Sequence, residues 1–356
     1  MNTSVISQSR PTIDAEESRA VDAVLASGYL AMGPMVSGFE RDFKEYTETP
    51  YALAVNSGTS ALHLALLAIG VKTEKEVIVP SYSCAALLNA VRYTGAYPVV
   101  ADIDTKTFCL SYEDTSRKIT SKTAAIIAVH TFGMSADIVA LSFNKIPVVE
   151  DFTHSIGGYV QDRKMGGIGD VAICSFYPTK MLATGEGGMV LTSSHKIASV
   201  VENLRTYNVS ESYEVRYNYK MSDIAAAIEK IQLRKLEGFI QKRRSIAKRY
   251  DSFFKSWDII AVIRRNYEED VFYRYIILMP NKSLAENFKN AMCKAGIICD
   301  SPVERPLHQY LNKPDEEFSG TLDVFNRAVS IPIYPSLTDE ETERILDTCG
   351  RILAGI

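Results

Sequence analysis

Between residues 50 and 195, short apolar runs rich in β-branched residues alternate with stretches that have the periodicity of a helix. Several runs are apolar throughout, which is typical of strands buried on both faces. Strands are predicted at residues 51–56, 76–80, 97–102, 124–130, 147–151, 171–175 and 188–192, with helices between them at residues 59–69, 85–94 and 136–143. Strands joined by crossover helices predict an α/β fold, with a mainly parallel seven-stranded sheet covered by helices on both faces.

A second unit follows this sheet. A long helical pattern begins after Ser222, a candidate N-cap, and runs to about residue 257. Strands are then predicted at residues 259–263 and 271–279, and helices at 282–295 and 339–353, the last preceded by a Thr338–Glu341 capping box. Because 356 residues exceed what one compact core usually holds, we predict two domains. Residues 1–235, the N-terminal segment included, form the large one, and residues 236–356 form a small C-terminal α+β domain.

The composition argues against several classes of function. A net charge of -4 does not favour a nucleic-acid-binding surface, because such domains are usually basic. No run of 18 apolar residues is present to span a membrane. The cysteines at positions 84, 109, 174, 293, 299 and 349 lack CxxC spacing, so neither a metal site nor a disulfide frame is predicted. We interpret them as reduced core residues of a cytoplasmic protein, since residues 1–5 also lack a secretory pattern.

Polar residues follow two of the predicted strands, at the carboxyl ends where ligands bind in parallel sheets. Lys180 lies five residues after the strand that ends at Ser175, and Asp151 ends the strand at residues 147–151. A lysine in a dry pocket presents a neutral amine, which forms the Schiff-base linkage that holds pyridoxal phosphate. Asp151 would supply the carboxylate that the pyridine nitrogen needs. Each residue alone is usually a solvated lysine or a capping aspartate, so the hypothesis rests on their combination.

A turn of small residues, which includes Gly58, Thr59 and Ser60, precedes the predicted helix at 59–69. Glycine lets the backbone approach an anion, and a helix N-terminus offers free N–H donors, so this turn suits a phosphate monoester. Taken alone, it is more simply a helix cap. Neither GxxxxGK[ST] nor GxGxxG occurs, so no nucleoside triphosphate or dinucleotide site is indicated. The Ser175 hydroxyl can reach the same phosphate while Lys180 reaches the aldehyde carbon.

Several linked motifs resemble those of the DegT/DnrJ/EryC1/StrS sugar aminotransferases over nearly the whole chain, from about residue 27 onward. They have the order and spacing of that family and are Asn56-Ser57-Gly58-Thr59-Ser60-Ala61-Leu62, Glu150-Asp151-Phe152-Thr153-His154-Ser155, Gly169-Asp170-Val171, Ser175-Phe176-Tyr177-Pro178-Thr179-Lys180, Gly185-Glu186-Gly187-Gly188 and Tyr217-Asn218-Tyr219-Lys220-Met221-Ser222-Asp223. The resemblance implies a fold-type-I enzyme dependent on pyridoxal phosphate and active as a homodimer.

The resemblance also implies roles for single residues. Lys180 would bind the cofactor aldehyde and then move a proton between the substrate Cα and the cofactor C4′. Asp151 would contact the pyridine nitrogen, and His154 would lie near the ring oxygen. The phosphate would be held by Gly58, Thr59, Ser60 and Ser175. Asn218 would reach the cofactor of the neighbouring subunit. His308 and Tyr29 match stretches near the sugar site, although each on its own is an ordinary loop residue.

The chain departs from the family pattern at several positions. Cys84 stands where an aromatic residue commonly covers the cofactor ring, so another contact must cover that face. Lys220 stands where arginine is usual, and Tyr207-Asn208 replaces a frequent His-Gly pair. The segment at residues 136–147 is several residues shorter than usual, which predicts a trimmed helix.

The function implied is transfer of an amino group in two half-reactions. An amino acid, expected to be L-glutamate, would convert pyridoxal phosphate to pyridoxamine phosphate. The amine would then pass to a nucleotide-linked keto-deoxy sugar, such as a 4-keto-6-deoxyhexose, for a surface polysaccharide such as lipopolysaccharide O-antigen or a glycosylated natural product. Three alternatives stay open: a keto-cyclitol aminotransferase, a cofactor-dependent sugar dehydratase, and a non-catalytic regulatory homologue. Family dehydratases often carry histidine at the lysine position, so Lys180 favours transamination.

Overall fold

The computed structural model describes residues 5–143, 145–207, 213–263 and 265–355. Its strands are β1 (Tyr51–Val55), β2 (Glu76–Pro80), β3 (Tyr97–Ala101), β4 (Thr123–Val129), β5 (Val148–Asp151), β6 (Tyr159–Val160), β7 (Arg163–Lys164), β8 (Val171–Ser175), β9 (Gly188–Thr192), β10 (Ala261–Val262), β11 (Tyr275–Leu278) and β12 (Ala328–Ile331). Seven of them form one sheet in the order β1-β9-β8-β5-β4-β2-β3. All neighbours in it are parallel except those of β9, which is antiparallel to β1 and β8.

Helices cover this sheet and form the rest of the second unit. They are α1 (Ala15–Ser27), α2 (Pro34–Thr47), α3 (Gly58–Ala68), α4 (Ala86–Tyr93), α5 (Tyr112–Lys118), α6 (Ile138–Ser142), α7 (His195–Leu204), α8 (Asp223–Phe254), α9 (Lys282–Lys294), α10 (Leu307–Tyr310), α11 (Ser319–Arg327) and α12 (Asp339–Leu353). One apolar cluster packs α3, α4 and α7 on one face of the sheet, and another packs α2 and α8 on the opposite face. The predicted α/β architecture is therefore confirmed.

The predicted elements of the sheet match the observed ones to within one residue at each strand end. Helix α6 has only five residues, so the helix in the shortened segment is indeed trimmed. The predicted strand at 271–279 begins only at Tyr275. The reason is a turn before it, in which Phe272 has a left-handed φ of 50° and its N–H donates to an Asp270 oxygen at 2.6 Å. Tyr273 and Arg274 therefore lie in a loop that leads into β11.

The small unit surrounds a three-stranded sheet in the order β10-β11-β12, with α9 and α12 packed on it. Helix α8 begins beside the large sheet and its last turns contribute to the small unit's apolar core. The N-terminal segment contacts this unit, because Ile6 is buried in the same core and forms a parallel bridge with Ile297. The domain boundary at residue 235 falls inside α8 and stays a prediction.

The cysteines differ in exposure more than predicted. All six thiols are free, but Cys84 and Cys293 are exposed, whereas the other four are buried as expected of core residues. Among the described residues, we find no helix with the length and apolar character needed to cross a membrane.

Glu229 is a carboxylic acid buried in the second turn of α8, in the apolar layer that also holds Cys174. Neither of its oxygens has a hydrogen-bond partner among the described residues. Burial raises the pKa of Glu229 well above its ordinary value. Because the folded-state pKa exceeds the unfolded one, the folded protein binds more protons between the two values. The stability of the fold therefore falls as the pH rises from the unfolded value toward the folded one.

We expect Glu229→Met to raise the free energy of unfolding by about 1–3 kcal/mol at pH 8, because it removes a buried polar group that lacks a partner. The gain at pH 5 should be smaller, since the carboxyl is less costly where it is more easily protonated. Chemical denaturation at the two pH values measures both effects. Glu229→Gln is the matched control, which removes the ionisation but keeps a polar group. If Glu229→Met instead lowered the free energy of unfolding equally at both pH values, the Glu229 carboxyl would have a hydrogen-bond partner in the folded protein.

Candidate active site

Two adjoining cavities open at the carboxyl ends of β2, β4, β5 and β8. The first, which we call the Ser175 cavity, has a volume of about 360 Å³ and is lined by Ser57, Gly58, Thr59, Asp151, Thr153, Ser175, Tyr177 and other residues. The second, the Arg274 cavity, has a volume of about 280 Å³ and is lined by Tyr82, Phe132, Thr179, Tyr273, Arg274, Arg305, Tyr310 and others. Lys180, His154, Cys84, Ser83 and Val129 line both. Lys180 therefore lies at the junction of two spaces.

Lys180 is held in a turn just beyond β8, where its backbone N–H donates to the Tyr177 carbonyl oxygen at 2.8 Å. Its side chain extends to His154, and the distance from Nζ to His154 Nε2 is 3.0 Å. The same Nζ lies 5.4 Å from the centre of the Tyr273 ring. The turn, the histidine and the aromatic ring together fix the position of the amine.

The ring of His154 lies nearly parallel to two neighbouring aromatic rings. Its imidazole is stacked on Tyr273 at 4.3 Å and lies nearly parallel to Phe132 at 5.6 Å. Burial lowers the pKa of His154 well below its ordinary value, and the nearby charges of Lys180 and Arg274 act in the same direction. The ring is therefore neutral at physiological pH and carries a single proton.

The position of that proton follows from the hydrogen bonds of His154. The backbone N–H of Phe132 donates to Nδ1 at 3.3 Å, so Nδ1 is the acceptor and the proton lies on Nε2. The 3.0 Å between Nε2 and Lys180 Nζ places the two nitrogens within hydrogen-bond distance of each other. His154 can equally donate this proton to an oxygen of a bound ligand.

Two adjacent carboxylates end β5 and point to different surroundings. Glu150 accepts hydrogen bonds from His130 and from the backbone N–H groups of Gly166, Ile168 and Gly169. Asp151 instead lines the Ser175 cavity. Burial raises the pKa of Asp151, while hydrogen bonds from Thr153 and the charges of Lys180 and His130 act in the opposite direction.

The N-terminus of α3 forms the other end of the Ser175 cavity. Ser57 is the N-cap, and its Oγ accepts from the Ser60 N–H at 3.1 Å. The close approach of β8 leaves no room for a side chain at residue 58, because a Cβ there would lie 2.6 Å from Ser175 Cβ and 3.0 Å from Ser175 Oγ. One small space is thus lined by backbone N–H groups, by the Thr59 and Ser175 hydroxyls and by the positive end of α3. This arrangement suits a phosphate.

The described residues fit pyridoxal phosphate. The Ser175 cavity has a helix N-terminus and hydroxyls for a phosphate, a buried carboxylate for a ring nitrogen, and an amine for an aldehyde. The sequence model of the DegT/DnrJ/EryC1/StrS aminotransferase family matches residues 11–349. The chain belongs to this family. It is an aminotransferase, and its cofactor is pyridoxal phosphate.

Individual relatives and solved structures agree with this assignment. GDP-perosamine synthase of Escherichia coli O157:H7 is 32% identical, over 95% of this chain and 96% of that protein. The dTDP-3-amino-3,4,6-trideoxy-alpha-D-glucose transaminase of Micromonospora megalomicea subsp. nigra is 29% identical, over 95% and 94%. Among solved structures, the PMP-form and the PLP-form of Spr1654 from Streptococcus pneumoniae match with a TM-score of 0.92 at 26% and 27% identity. The match to the PMP-form covers 99% of this chain and 98% of that chain, and the match to the PLP-form covers 99% of both.

The structure of this aminotransferase brings together most of the residues predicted for the cofactor. The ones that line the Ser175 cavity are Gly58, Thr59, Asp151, His154, Ser175 and Lys180. Ser60 lies behind the turn, and its hydroxyl donates to Asn56 Oδ1 at 2.7 Å. Asn218 is exposed, and its backbone oxygen accepts from Asn56 Nδ2 at 3.2 Å. Its predicted contact with a second subunit stays a prediction.

The two residues predicted for the substrate lie elsewhere in the described chain. His308 is fully buried, with Nδ1 hydrogen-bonded to Ser81, Nε2 2.9 Å from Asp315 Oδ1, and its ring stacked on Phe318 at 4.2 Å. Its contacts anchor α10, and His308 lines neither cavity. Tyr29 is 70% exposed and lines neither cavity. A role for it would require a surface that this chain alone does not provide.

Sequence reasoning missed Phe132 and Tyr273, whose rings are stacked with that of His154. Phe132 follows the predicted strand that ends near His130, so its position beside the crevice was a usable signal. Tyr273 comes from the small unit and had no such signal. Burial alone would raise the pKa of Tyr273, but the charges of Lys180 and Arg274 and a hydrogen bond with Thr179 lower it to about 8.

We expect Gly58→Ala to weaken cofactor binding, because the added Cβ forces Ser175 out of place. A clash of this kind costs about 1–3 kcal/mol, which corresponds to roughly ten- to hundredfold weaker binding. Titration of the cofactor-free protein with pyridoxal phosphate measures the change. Gly238→Ala is the matched control, because Gly238 lies in α8 with no atom within 4 Å of its added Cβ. Unchanged affinity in Gly58→Ala would place the phosphate elsewhere.

Proposed function

We propose that this aminotransferase moves an amino group from L-glutamate to the keto group of a nucleotide-linked keto-deoxy sugar, such as a 4-keto-6-deoxyhexose. The observation that carries the proposal is the position of Lys180 at the junction of the two cavities, with its amine 3.0 Å from His154. The Ser175 cavity has the donors for a cofactor, and the Arg274 cavity leaves space for a substrate beside the same amine.

The names of related proteins support a sugar as the acceptor. GDP-perosamine synthase and dTDP-3-amino-3,4,6-trideoxy-alpha-D-glucose transaminase are named for amino sugars, and both match nearly the whole chain. A third relative, the spore coat polysaccharide biosynthesis protein SpsC of Bacillus subtilis, is 31% identical over 98% of this chain and 97% of that protein. We infer that the product enters a surface polysaccharide, such as lipopolysaccharide O-antigen, or a glycosylated natural product, and that the enzyme works in the cytoplasm.

Each residue of the Ser175 cavity has a distinct task in this proposal. When bound, pyridoxal phosphate supplies an electron-withdrawing ring that stabilises negative charge on the carbon next to the transferred nitrogen. Asp151 keeps the proton on the ring nitrogen, and His154 orients the ring through its Nε2–H. Gly58, Thr59 and Ser175 bind the phosphate, with Ser60 supporting the turn.

Lys180 acts twice. It first binds the cofactor, and after an incoming amine displaces it, its neutral Nζ takes the proton from the substrate α-carbon and returns it on the other side of the transferred nitrogen. Its contacts with His154 and with the Tyr273 ring hold the amine at the junction of the two cavities for this step. A histidine at position 180, typical of the dehydratase alternative, lacks the amine that this step uses.

We also propose that two copies of the chain assemble with an active site at each end of their interface. Asn218 would then contact the cofactor of the partner subunit, and the exposed Tyr29 would lie near the partner's substrate. Both side chains lie on the surface of the described chain, as residues that serve a second copy must.

The proposal is tested with the purified protein and pyridoxal phosphate. We expect a visible absorption band that L-glutamate removes as the cofactor becomes pyridoxamine phosphate. The pyridoxamine-loaded enzyme is then incubated with a panel of nucleotide-linked keto-sugars and keto-cyclitols, and products are identified by mass spectrometry. An aminated nucleotide sugar supports the proposal. An aminated cyclitol, a deoxygenated sugar without nitrogen, or no visible band would each contradict it in favour of a named alternative.

A further inference from the structure

The Arg274 cavity carries positive charge that the described acidic residues leave unpaired. Arg274 donates from Nη1 to the neutral Ser330 Oγ at 3.2 Å. Arg305 donates to the backbone oxygen of Gln309 at 3.1 Å. Lys180 adds a third basic side chain to the same lining. Guanidinium groups bind carboxylates and phosphates through paired hydrogen bonds, so an arginine without an acidic partner in a cavity lining is a candidate ligand contact.

Two other arginines of the small unit form ion pairs. Arg265 forms an ion pair with Asp270, and Arg327 forms one with Asp323. Glu304 is the acidic residue in the lining of the Arg274 cavity, but it is exposed and forms no ion pair in the described part of the chain. Arg243 and Arg244 form no ion pair in the described part of the chain either. Each of them donates to two or more backbone carbonyl oxygens, whereas Arg274 lines the cavity.

The ionisation of Tyr273 agrees with an excess of positive charge at this position. Burial alone would raise the pKa of the phenol, yet the charges of Lys180, Arg274 and Arg243 and a hydrogen bond with Thr179 lower it to about 8. Both basic side chains lie beside the same ring, with Lys180 Nζ 5.4 Å and Arg274 Cζ 5.6 Å from its centre. Arg274 is thus tied to the reacting amine through one shared aromatic side chain.

The two arginines differ in their distance from the chemistry. Arg274 is half-buried and adjoins the ring that contacts Lys180, whereas Arg305 is exposed and lies 4.8 Å from the ring of Tyr310, which is 43% exposed. In an amino acid, the carboxylate is attached to the same carbon as the reacting amine. In a nucleotide-linked sugar, a sugar ring commonly separates the reacting carbon from the phosphates. The inner position suits the carboxylate, and the outer one suits the phosphates.

We propose that Arg274 binds the α-carboxylate of the amino-acid donor and so selects α-amino acids over simple amines. The inference rests on the proposed function, because it requires an amino-acid donor. A guanidinium presents paired N–H donors that match the two oxygens of a carboxylate, and Ser330 occupies only Nη1. Ser330 itself is fully buried and holds the guanidinium in place.

The test measures binding of glutarate, which is glutamate without its amine and does not react, to the enzyme loaded with pyridoxal phosphate. In titration calorimetry we expect Arg274→Gln to weaken glutarate binding about 10- to 100-fold. Arg305→Gln is the matched control and should change it less than about threefold. Arg274→Lys, which keeps the charge but loses the paired donors, should give an intermediate loss. The visible band and the melting temperature verify that each variant is folded and loaded.

A second measurement separates a carboxylate site from a phosphate site. We expect Arg274→Gln to leave binding of GDP and dTDP nearly unchanged and to slow removal of the visible band by L-glutamate far more than by 4-aminobutanoate, which lacks the α-carboxylate. Weaker nucleotide binding with unchanged glutarate binding would overturn the proposal in favour of a diphosphate site. Wild-type enzyme that does not bind glutarate would overturn it as well. If the proposed function itself were wrong, the result would be different: L-glutamate would not remove the visible band of the wild-type enzyme.

Discussion

Lys180→Ala is expected to abolish the visible absorption of the cofactor and to lower the rate of amino transfer by about 100- to 10,000-fold or more. Two losses combine, since the variant lacks both the amine that binds the aldehyde and the group that moves the proton. The turn that holds residue 180 is built from backbone hydrogen bonds, so the fold should survive. Absorbance of the protein mixed with pyridoxal phosphate, and the rate with L-glutamate as donor, measure the two effects separately.

The control for this substitution is Lys164→Ala. Lys164 lies outside both cavities and its ammonium is paired with Glu48, so its removal should alter neither absorbance nor rate. Borohydride should fix the cofactor to Lys180 in the wild-type protein, as shown by peptide mass spectrometry. A small primary amine added to Lys180→Ala should restore part of the rate, because it replaces the missing base. A visible band that persists in Lys180→Ala would transfer the role to another lysine.

The core of the fold was predictable because the strands of the large sheet are buried on both faces. Their apolar runs stand out in the sequence, and the observed strand ends differ from the predicted ones by at most one residue. The strand at 271–279 was predicted too long because the turn at Phe272 depends on a hydrogen bond to Asp270, which a pattern of apolar residues does not reveal. The contact of Ile6 with Ile297 joins distant parts of the chain and left no local signal either.

The cofactor residues were predictable for a different reason. They follow strand ends or open a helix, and the carboxyl ends of a parallel sheet meet at one edge, so Asp151, Ser175 and Lys180 had to lie near one another. His308 did not follow this logic. Its position in a short stretch suggested a substrate contact, but the structure uses its two nitrogens to join Ser81 to Asp315. A sequence stretch records which residue is present, and only packing shows which way it faces.

Tyr273 and Arg274 could not be predicted because they reach the site from the second unit. Their approach depends on the angle at which α8 leaves the large sheet and on the turn that ends at β11. Cys84 was singled out for a missing aromatic ring, and in the structure it is exposed and lines both cavities. The aromatic contacts instead belong to His154, whose ring lies nearly parallel to those of Phe132 and Tyr273.

Glu150 and Asp151 are adjacent at the end of β5 but differ in their hydrogen-bond partners and in the direction of their pKa shifts. Burial alone would raise the pKa of Glu150, but its hydrogen bonds to His130 and to backbone N–H groups lower it, so its charge is satisfied inside the protein. Asp151 accepts from the Thr153 backbone at 3.0 Å, and its pKa is raised by burial. A positively charged ring nitrogen would supply the partner that Asp151 lacks, which makes cofactor binding and ionisation of Asp151 mutually favourable.

Asp151→Asn is therefore expected to slow the half-reaction with L-glutamate by about 100- to 1,000-fold, the range found when a charge-stabilising group is removed from an active site. An amide is nearly the same size as a carboxylate but does not hold a proton on a ring nitrogen. The rate at which L-glutamate removes the visible band, followed in a single turnover, measures the effect. Reconstitution with N-methylated pyridoxal phosphate, which carries a permanent positive charge, should narrow the difference between Asp151→Asn and the wild type.

Glu150→Gln is the matched control, one residue away on the same strand. It should lower the free energy of unfolding by about 1–3 kcal/mol, because a buried group then loses charge-assisted hydrogen bonds, while the visible band persists. The folded-state pKa of Glu150 is depressed, so the stability it contributes is present at neutral pH and is lost as the pH falls below the unfolded value. Asp151→Asn should show the opposite profile, with a nearly unchanged melting curve and a slow reaction. If both variants lost stability alike and reacted at wild-type rate, the two carboxylates would share one structural role and the ring nitrogen would need another partner.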